Sequence, residues 1–212
     1  MPLVAFVGVH GSGKTSTARL LARLYPGCYI YREVEAIGEA AGLPPAARQL
    51  LFYARFIERL VAAYREARSD GKTVVMDSHP LLVPVYTRWW LRGSGGGAAE
   101  AMEKLLLILP PVDLLVYIRA RDPLEIARRV LARGRATARE EADPEYIQFI
   151  DQEVSRLVEA YGARIARHVL VLDAEAPLEA KARRVHEEYT RLTRGRNTCG
   201  THCWSGAGRR RA

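Results

Sequence analysis

Eight residues near the start of the chain restrict its architecture more than any other segment. Gly8-Val9-His10-Gly11-Ser12-Gly13-Lys14-Thr15 satisfies the spacing G-x-x-x-x-G-K-[ST] in full. Glycines at these places let the backbone turn tightly, so that successive N–H groups face a common anion. Such a loop works only when a strand delivers it and a helix leaves it with its positive end toward the same anion. Both flanks are present. Leu3–Val7 is a continuous apolar run, the profile of a strand buried on two faces. Gly13–Leu24 places Ala18, Leu21, Ala22 and Leu24 on one side of a helix that Pro26-Gly27 stops.

The remainder alternates in the same way. Strands are expected at Cys28–Tyr31, Thr73–Met76, Leu114–Ile118 and Val169–Leu172. Helices are expected at about Ala46–Arg68, with Leu50, Leu51, Ala54, Ile57, Leu60, Val61 and Tyr64 as its apolar stripe, and at Ala98–Leu107, Pro144–Arg167 and Pro177–Leu192. Asp122-Pro123 reads as an N-cap followed by a first-turn proline. Strands alternating with helices imply an α/β fold, a parallel sheet covered on both faces in an αβα sandwich.

Charge is unevenly placed. Of the net +8, five charges belong to Arg194, Arg196, Arg209, Arg210 and Arg211, leaving a nearly balanced body. The reading is therefore a domain over 1–193 and a basic tail over 194–212, expected to be disordered because Gly, Ser, Thr and Arg cannot build a core. This distribution argues against a nucleic-acid partner, and no apolar run is long enough for a bilayer. Three cysteines are too few for a disulfide framework, which favours a reducing, cytoplasmic setting.

The loop sets the expected chemistry. Lys14 would reach the β- and γ-phosphates of ATP and the Thr15 hydroxyl would ligate Mg²⁺, with Gly8, His10, Gly11, Ser12, Gly13 and Ser16 lining the nucleotide. Asp77 follows the strand Thr73–Met76 at the sheet edge where such folds bind ligands, and is read as a second metal ligand and catalytic carboxylate. Arg129, Arg133 and Arg135 lie in an arginine-dense segment with Gly134 as a bend. They are read as cations closing over a transferred phosphoryl group, in a lid over about 133–143.

Beyond the loop, Leu50-Leu51-Phe52-Tyr53-Ala54-Arg55, the run Asp70 to Asp77, Tyr31-Arg32-Glu33, and Pro111-Val112-Asp113-Leu114 with the arginine helix resemble the thymidylate kinases. The resemblance runs in order over roughly residues 3–190, although only the loop is sharply specific. It implies a five-stranded parallel sheet, ATP as donor and a nucleoside monophosphate as acceptor, thymidine monophosphate first. It further implies that Arg55 grips the acceptor phosphate, that Phe52 stacks on its base, and that Arg32 and Glu33 line its pocket. A homodimer is implied by the resemblance alone.

Two departures leave the acceptor open. His10 stands where those kinases usually carry an acid, and Asp77 is followed by Ser78-His79 rather than arginine. His79, Arg88 and Arg92 are candidates to replace that arginine. The alternatives are therefore a kinase of deoxynucleosides or other small hydroxyl compounds, and more remotely a nucleic-acid-associated ATPase anchored by the tail.

Overall fold

The computed structural model describes residues 2–33, 42–69, 73–93, 97–134 and 139–193. Five strands, β1 (Leu3–Val7), β2 (Tyr29–Arg32), β3 (Thr73–Met76), β4 (Val112–Arg119) and β5 (Ala166–Asp173), form one parallel sheet in the order β2-β3-β1-β4-β5. Seven α-helices connect and cover it among the described residues: α1 (Lys14–Leu24), α2 (Pro45–Ser69), α3 (Leu82–Trp90), α4 (Gly97–Leu106), α5 (Pro123–Ala132), α6 (Pro144–Ile165) and α7 (Leu178–Thr193). The expected architecture is present, including the strand count. None of the described helices is long and apolar enough to cross a membrane.

β1 is the axis of the molecule. All five of its residues are fully buried, because helices pack on both faces and strands on both edges. Val4 pairs with Val75 of β3 on one side and with Leu114 of β4 on the other. The chain moves outward from β1 in opposite directions, through β3 to β2 and through β4 to β5. The crevice where the two halves part opens at the carboxyl end of β1. The Gly8–Thr15 loop lies at that point.

α1 and α7 pack together on one side of the sheet. Tyr25 stacks on His186 with ring centres 3.5 Å apart, and Thr73 Oγ1 donates to the Tyr189 hydroxyl at 2.7 Å. α2, α3 and α6 form the second layer. The buried face of α2 comprises Gln49, Tyr53, Leu60, Ala63 and Ala67, and Leu50 is 57% exposed. The expected stripe is thus rotated, because α2 must also meet α3 and α4. Tyr53 donates to the Met102 carbonyl at 2.7 Å and Gln49 accepts from Thr87 at 3.2 Å, contacts that apolar periodicity does not register.

Two boundaries also differ. β4 extends over Val112–Arg119, and α6 ends at Ile165, where the periodicity implies a helix to Arg167. β5 starts at the next residue, with no loop between them. The Ala166 N–H still closes the last helical turn on the Gly162 carbonyl while its own backbone is already extended. A Cβ at Gly162 would stand 3.3 Å from Val169 Cγ2, so the glycine gives β5 room to fold back on α6. Cys28, just before β2, is buried.

Gly8 fixes how closely the loop approaches β4. Its φ is +141°, and a Cβ there would lie 2.3 Å from the Ile118 backbone carbonyl. Gly8→Ala must separate two central strands or distort the loop. We expect a loss of roughly 2–4 kcal/mol of stability, read as a lower urea midpoint at unchanged m.

Candidate active site

The loop is held from inside by its own lysine. Lys14 Nζ donates to the Gly8 and Val9 carbonyls, each at 2.8 Å. Ser12 Oγ donates to Val9 O at 2.9 Å, and Gly13, with φ +94°, starts α1 in a left-handed conformation. The ammonium is buried, and loss of solvent lowers its pKa from 10.5 to about 8. Asp77 and Glu141 oppose that shift, while Arg133 adds to it.

Thr15 stands one residue further, in the first turn of α1, and its hydroxyl donates to Asp77 Oδ2 at 2.9 Å. Strand pairing brings them together: β3 neighbours β1, so Asp77, one residue past β3, sits beside the loop that leaves β1. The Tyr31 hydroxyl from β2 donates to the same oxygen at 3.1 Å. Asp77 is 4% exposed. A hydroxyl and a carboxylate in contact are hard oxygen donors, the kind Mg²⁺ takes when nucleotide phosphates and water complete its shell. The pair therefore fits a phosphate-bound Mg²⁺.

α5 brings arginines to the opposite wall. Its N-cap forms as expected, with Asp122 Oδ1 accepting from Leu124 N at 3.0 Å and Glu125 N at 3.1 Å. Arg129 Nη1 donates to Ala174 O at 2.8 Å, and its Nε to Glu125 at 3.0 Å. Arg133 reaches over the loop, with Nη2 3.3 Å from where a Cβ of Gly11 would stand. Ile126 and Val130 would meet that Cβ at 2.9 and 2.8 Å, so only glycine lets α5 seat on the loop. A cavity of about 480 Å³ opens here. Its walls are Gly11–Gly13 and Ser16, Arg129 and Arg133, and the segment Glu175–Leu178 with Lys181. Arg135 lies outside the described residues, as does the tail with its cysteines.

His10 packs into an aromatic group. Its ring stacks on Tyr86 at 4.9 Å and Tyr146 at 6.1 Å, and Tyr146 in turn meets Trp89 edge-on at 5.1 Å. Desolvation, with Lys14 and Arg133 nearby, lowers the His10 pKa to about 3, so the imidazole is neutral at pH 7. Glu141, in the short 3₁₀ turn before α6, is buried close enough to bias Lys14, Tyr86 and Tyr146.

The other residues expected to hold an acceptor are more dispersed. Arg32 adjoins Asp77 through the backbone, yet its side chain donates to Glu66 at 2.9 Å. Glu33 pairs with Arg19 at 2.6 Å, and Arg55 with Glu58 at 3.0 Å on the exposed side of α2. Phe52 is partly buried against the core. The His79 ring is 1% exposed and accepts from Leu81 N at 3.1 Å, closing the turn that starts α3. Arg88 joins Glu100, Glu103 and Glu153 at 2.8, 2.7 and 3.2 Å, beside a separate cavity of about 300 Å³ that Arg92 also lines.

Sequence reasoning does not single out Tyr31, Tyr86, Glu141 or Lys181 as site residues. Lys181 carries a readable sign: it is one of only four lysines in an arginine-rich chain, and it shares the helical spacing of buried Ala182, Val185 and Tyr189. Tyr31 and Glu141 gain their meaning from strand order and from the return of the chain after α5, which no local pattern reports.

No protein-family model matches the chain, and no curated protein matches it. Solved structures do. A deoxyadenosine kinase from M. mycoides, with the products dCMP and a flexible dCDP bound, matches with a TM-score of 0.60 at 15% identity over 90% of this chain and 99% of that one. The same enzyme with bound dCTP gives 0.59 at 15% identity, over 89% and 99%. The likeness is one of fold: over about 90% of its length the chain follows the three-layer α/β architecture of those structures.

Two outcomes are expected from the site's electrostatics. The charged Lys14 is the form that attracts a triphosphate, and the free protein loses that proton as pH rises through about 8. Triphosphate affinity measured by calorimetry should therefore fall above pH 8, by up to about tenfold per unit. Stability moves the other way: between about 8 and 10.5 the unfolded chain binds the proton that the folded one has released, so folding gains with pH. Separately, Arg88→Met would leave Glu103, which is 4% exposed, paired with Arg156 alone among the described residues. It should cost about 1.5–3 kcal/mol in denaturant unfolding.

Proposed function

We propose that the chain is an ATP- and Mg²⁺-dependent phosphotransferase whose acceptor is a nucleoside-type hydroxyl. The observation that carries the proposal is the contact of Thr15 with Asp77 at 2.9 Å beside buried Lys14, on the same loop whose Gly11–Gly13 stretch walls a cavity together with Arg129 and Arg133. In this reading the donor's phosphates rest on the amides of Gly11–Thr15. Lys14 exchanges its loop carbonyls for β- and γ-phosphate oxygens. Thr15 and Asp77 would hold Mg²⁺, which supplies neutralising charge to those oxygens. Asp77, oriented by Thr15 and Tyr31, accepts the proton of the attacking hydroxyl. Arg133, with Arg129 behind it, stabilises the charge spread over the transferred group.

Thymidine monophosphate, the acceptor the sequence resemblance favours, requires a cation for its own phosphate. Arg32, Arg55 and Arg88 are each paired with carboxylates. The neutral His10, Tyr86 and Tyr146 next to the loop better suit an uncharged acceptor. The structural neighbours, as deoxyadenosine kinases, favour the same choice. We therefore place a deoxynucleoside first and thymidine monophosphate second. A homodimer stays a proposal resting on family resemblance.

Lys14→Ala should lower kcat about 10²- to 10³-fold while the circular dichroism melt stays intact. Normal turnover in that variant would refute the assignment. A coupled ADP-release screen across nucleosides and nucleoside monophosphates identifies the acceptor. Arg55→Ala should leave KM unchanged for a nucleoside, and a several-fold rise would restore the monophosphate reading.

A further inference from the structure

The phosphate loop has a second lysine behind it. Lys181, in the first turns of α7, is 4% exposed, and its Nζ donates to Ala174 O at 2.7 Å and Ser12 O at 3.4 Å. It stands 3.4 Å from where a Cβ of Gly13 would be. All its hydrogen-bond acceptors among the described residues are carbonyls. Removing an ammonium from water without a paired carboxylate is unfavourable by several kcal/mol, and partial charges on carbonyls offset only part of it. The pKa is accordingly lowered, by desolvation first and then by Arg129, with Glu175 opposing. The Arg129 guanidinium donates to the same Ala174 carbonyl at 2.8 Å. Two cations thus converge on one acceptor at the edge of the donor cavity.

A second orphan lies beside it. Thr17 Oγ1 is wholly buried and has no hydrogen-bond partner among the described residues, and it is 4.0 Å from the same Gly13 position. An undercompensated ammonium and an unpartnered hydroxyl flanking one glycine of an anion-binding loop form a place that gains from negative charge. Ammonium–carbonyl bonds also join the loop after β5, which walls one side of the cavity, to Ser12 of the phosphate loop on the other. Lys14 and Lys181 approach that loop from different elements, α1 and α7.

We propose that Lys181 is a positioning residue for the donor's polyphosphate: it adds the second lysine charge at the loop and ties Ser12–Gly13 to the segment after β5. The inference rests on the kinase reading above and deepens it. A merely structural role would loosen the whole donor cavity, whereas a charge acting on phosphates is felt in proportion to their presence.

The test compares the affinities of MgATP, MgADP and adenosine in calorimetry for the wild type, Lys181→Met and Lys181→Arg. Lys181→Met should weaken ATP and ADP about 10- to 100-fold and leave adenosine unchanged, with Lys181→Arg retaining ATP affinity within a few fold. Equal losses for all three ligands, or no loss of ATP affinity, overturn the inference. Should Lys181→Met fail to fold, Lys181→Gln, which can still donate to a carbonyl, is measured against the same three ligands and decides by the same ratio. A wild-type protein without affinity for MgATP overturns the kinase reading as well, while a wild type that binds and a Met variant that binds equally overturn only this inference.

Discussion

The backbone of the Gly8–Thr15 loop is pressed so closely onto its surroundings that side chains are excluded at its turning points. Ile118 of β4 closes on Gly8 from one side, and Ile126 and Val130 of α5 close on Gly11 from another. These approaches place the loop's amides, and they also bring α5 near enough for Arg133 to overhang them. Strand order does the rest. Because β1 lies between β3 and β4, the loop has Asp77 on one flank and the arginine helix on the other. Neither flank could be supplied by an edge strand.

Charge around the loop is asymmetric, and the asymmetry separates two regions. Toward α5 and α7 there are Lys14, Arg129, Arg133 and Lys181, with carbonyls accepting from both lysines and the carboxylates of Glu125 and Glu175 alongside. Toward β3 and α6 there are Asp77, Glu141 and a set of neutral rings. Anions are favoured on the first side and proton-bearing groups on the second. A transferring phosphoryl group would move between them, which is the direction of the proposed reaction. Arg88, Glu103 and Arg156 belong to neither region. They bind α3, α4 and α6 to one another, and their worth is in stability.

The loop, the alternation of elements and the position of Asp77 are legible in the sequence, since each depends on neighbours within a few residues. Thr73–Met76 is reproduced residue for residue, and Asp122 caps α5 as its type and the following proline imply. The phase of α2 is not legible, because Gln49 and Tyr53 are buried through hydrogen bonds to α3 and α4, and hydrophobicity does not report that kind of burial. The acceptor arginines illustrate another limit. Sequence gives their order along the chain, but whether a guanidinium meets a phosphate or a carboxylate depends on which helix lies opposite. Glu58, Glu66 and Glu103 occupy those places, and Arg32, Arg55 and Arg88 are paired accordingly.

The junction of α6 with β5 carries an implication for how the halves of the cavity behave. A loop between a helix and a strand acts as slack and absorbs rotation on one side before it reaches the other. Ile165 and Ala166 are consecutive helical and extended residues, so there is no slack to take up. The turn holding Glu141 sits at one end of this unbroken piece and Ala174, acceptor for Arg129 and Lys181, follows its other end. A tilt imposed on α6 at its first turn would therefore reach the strand with no intervening segment to absorb it.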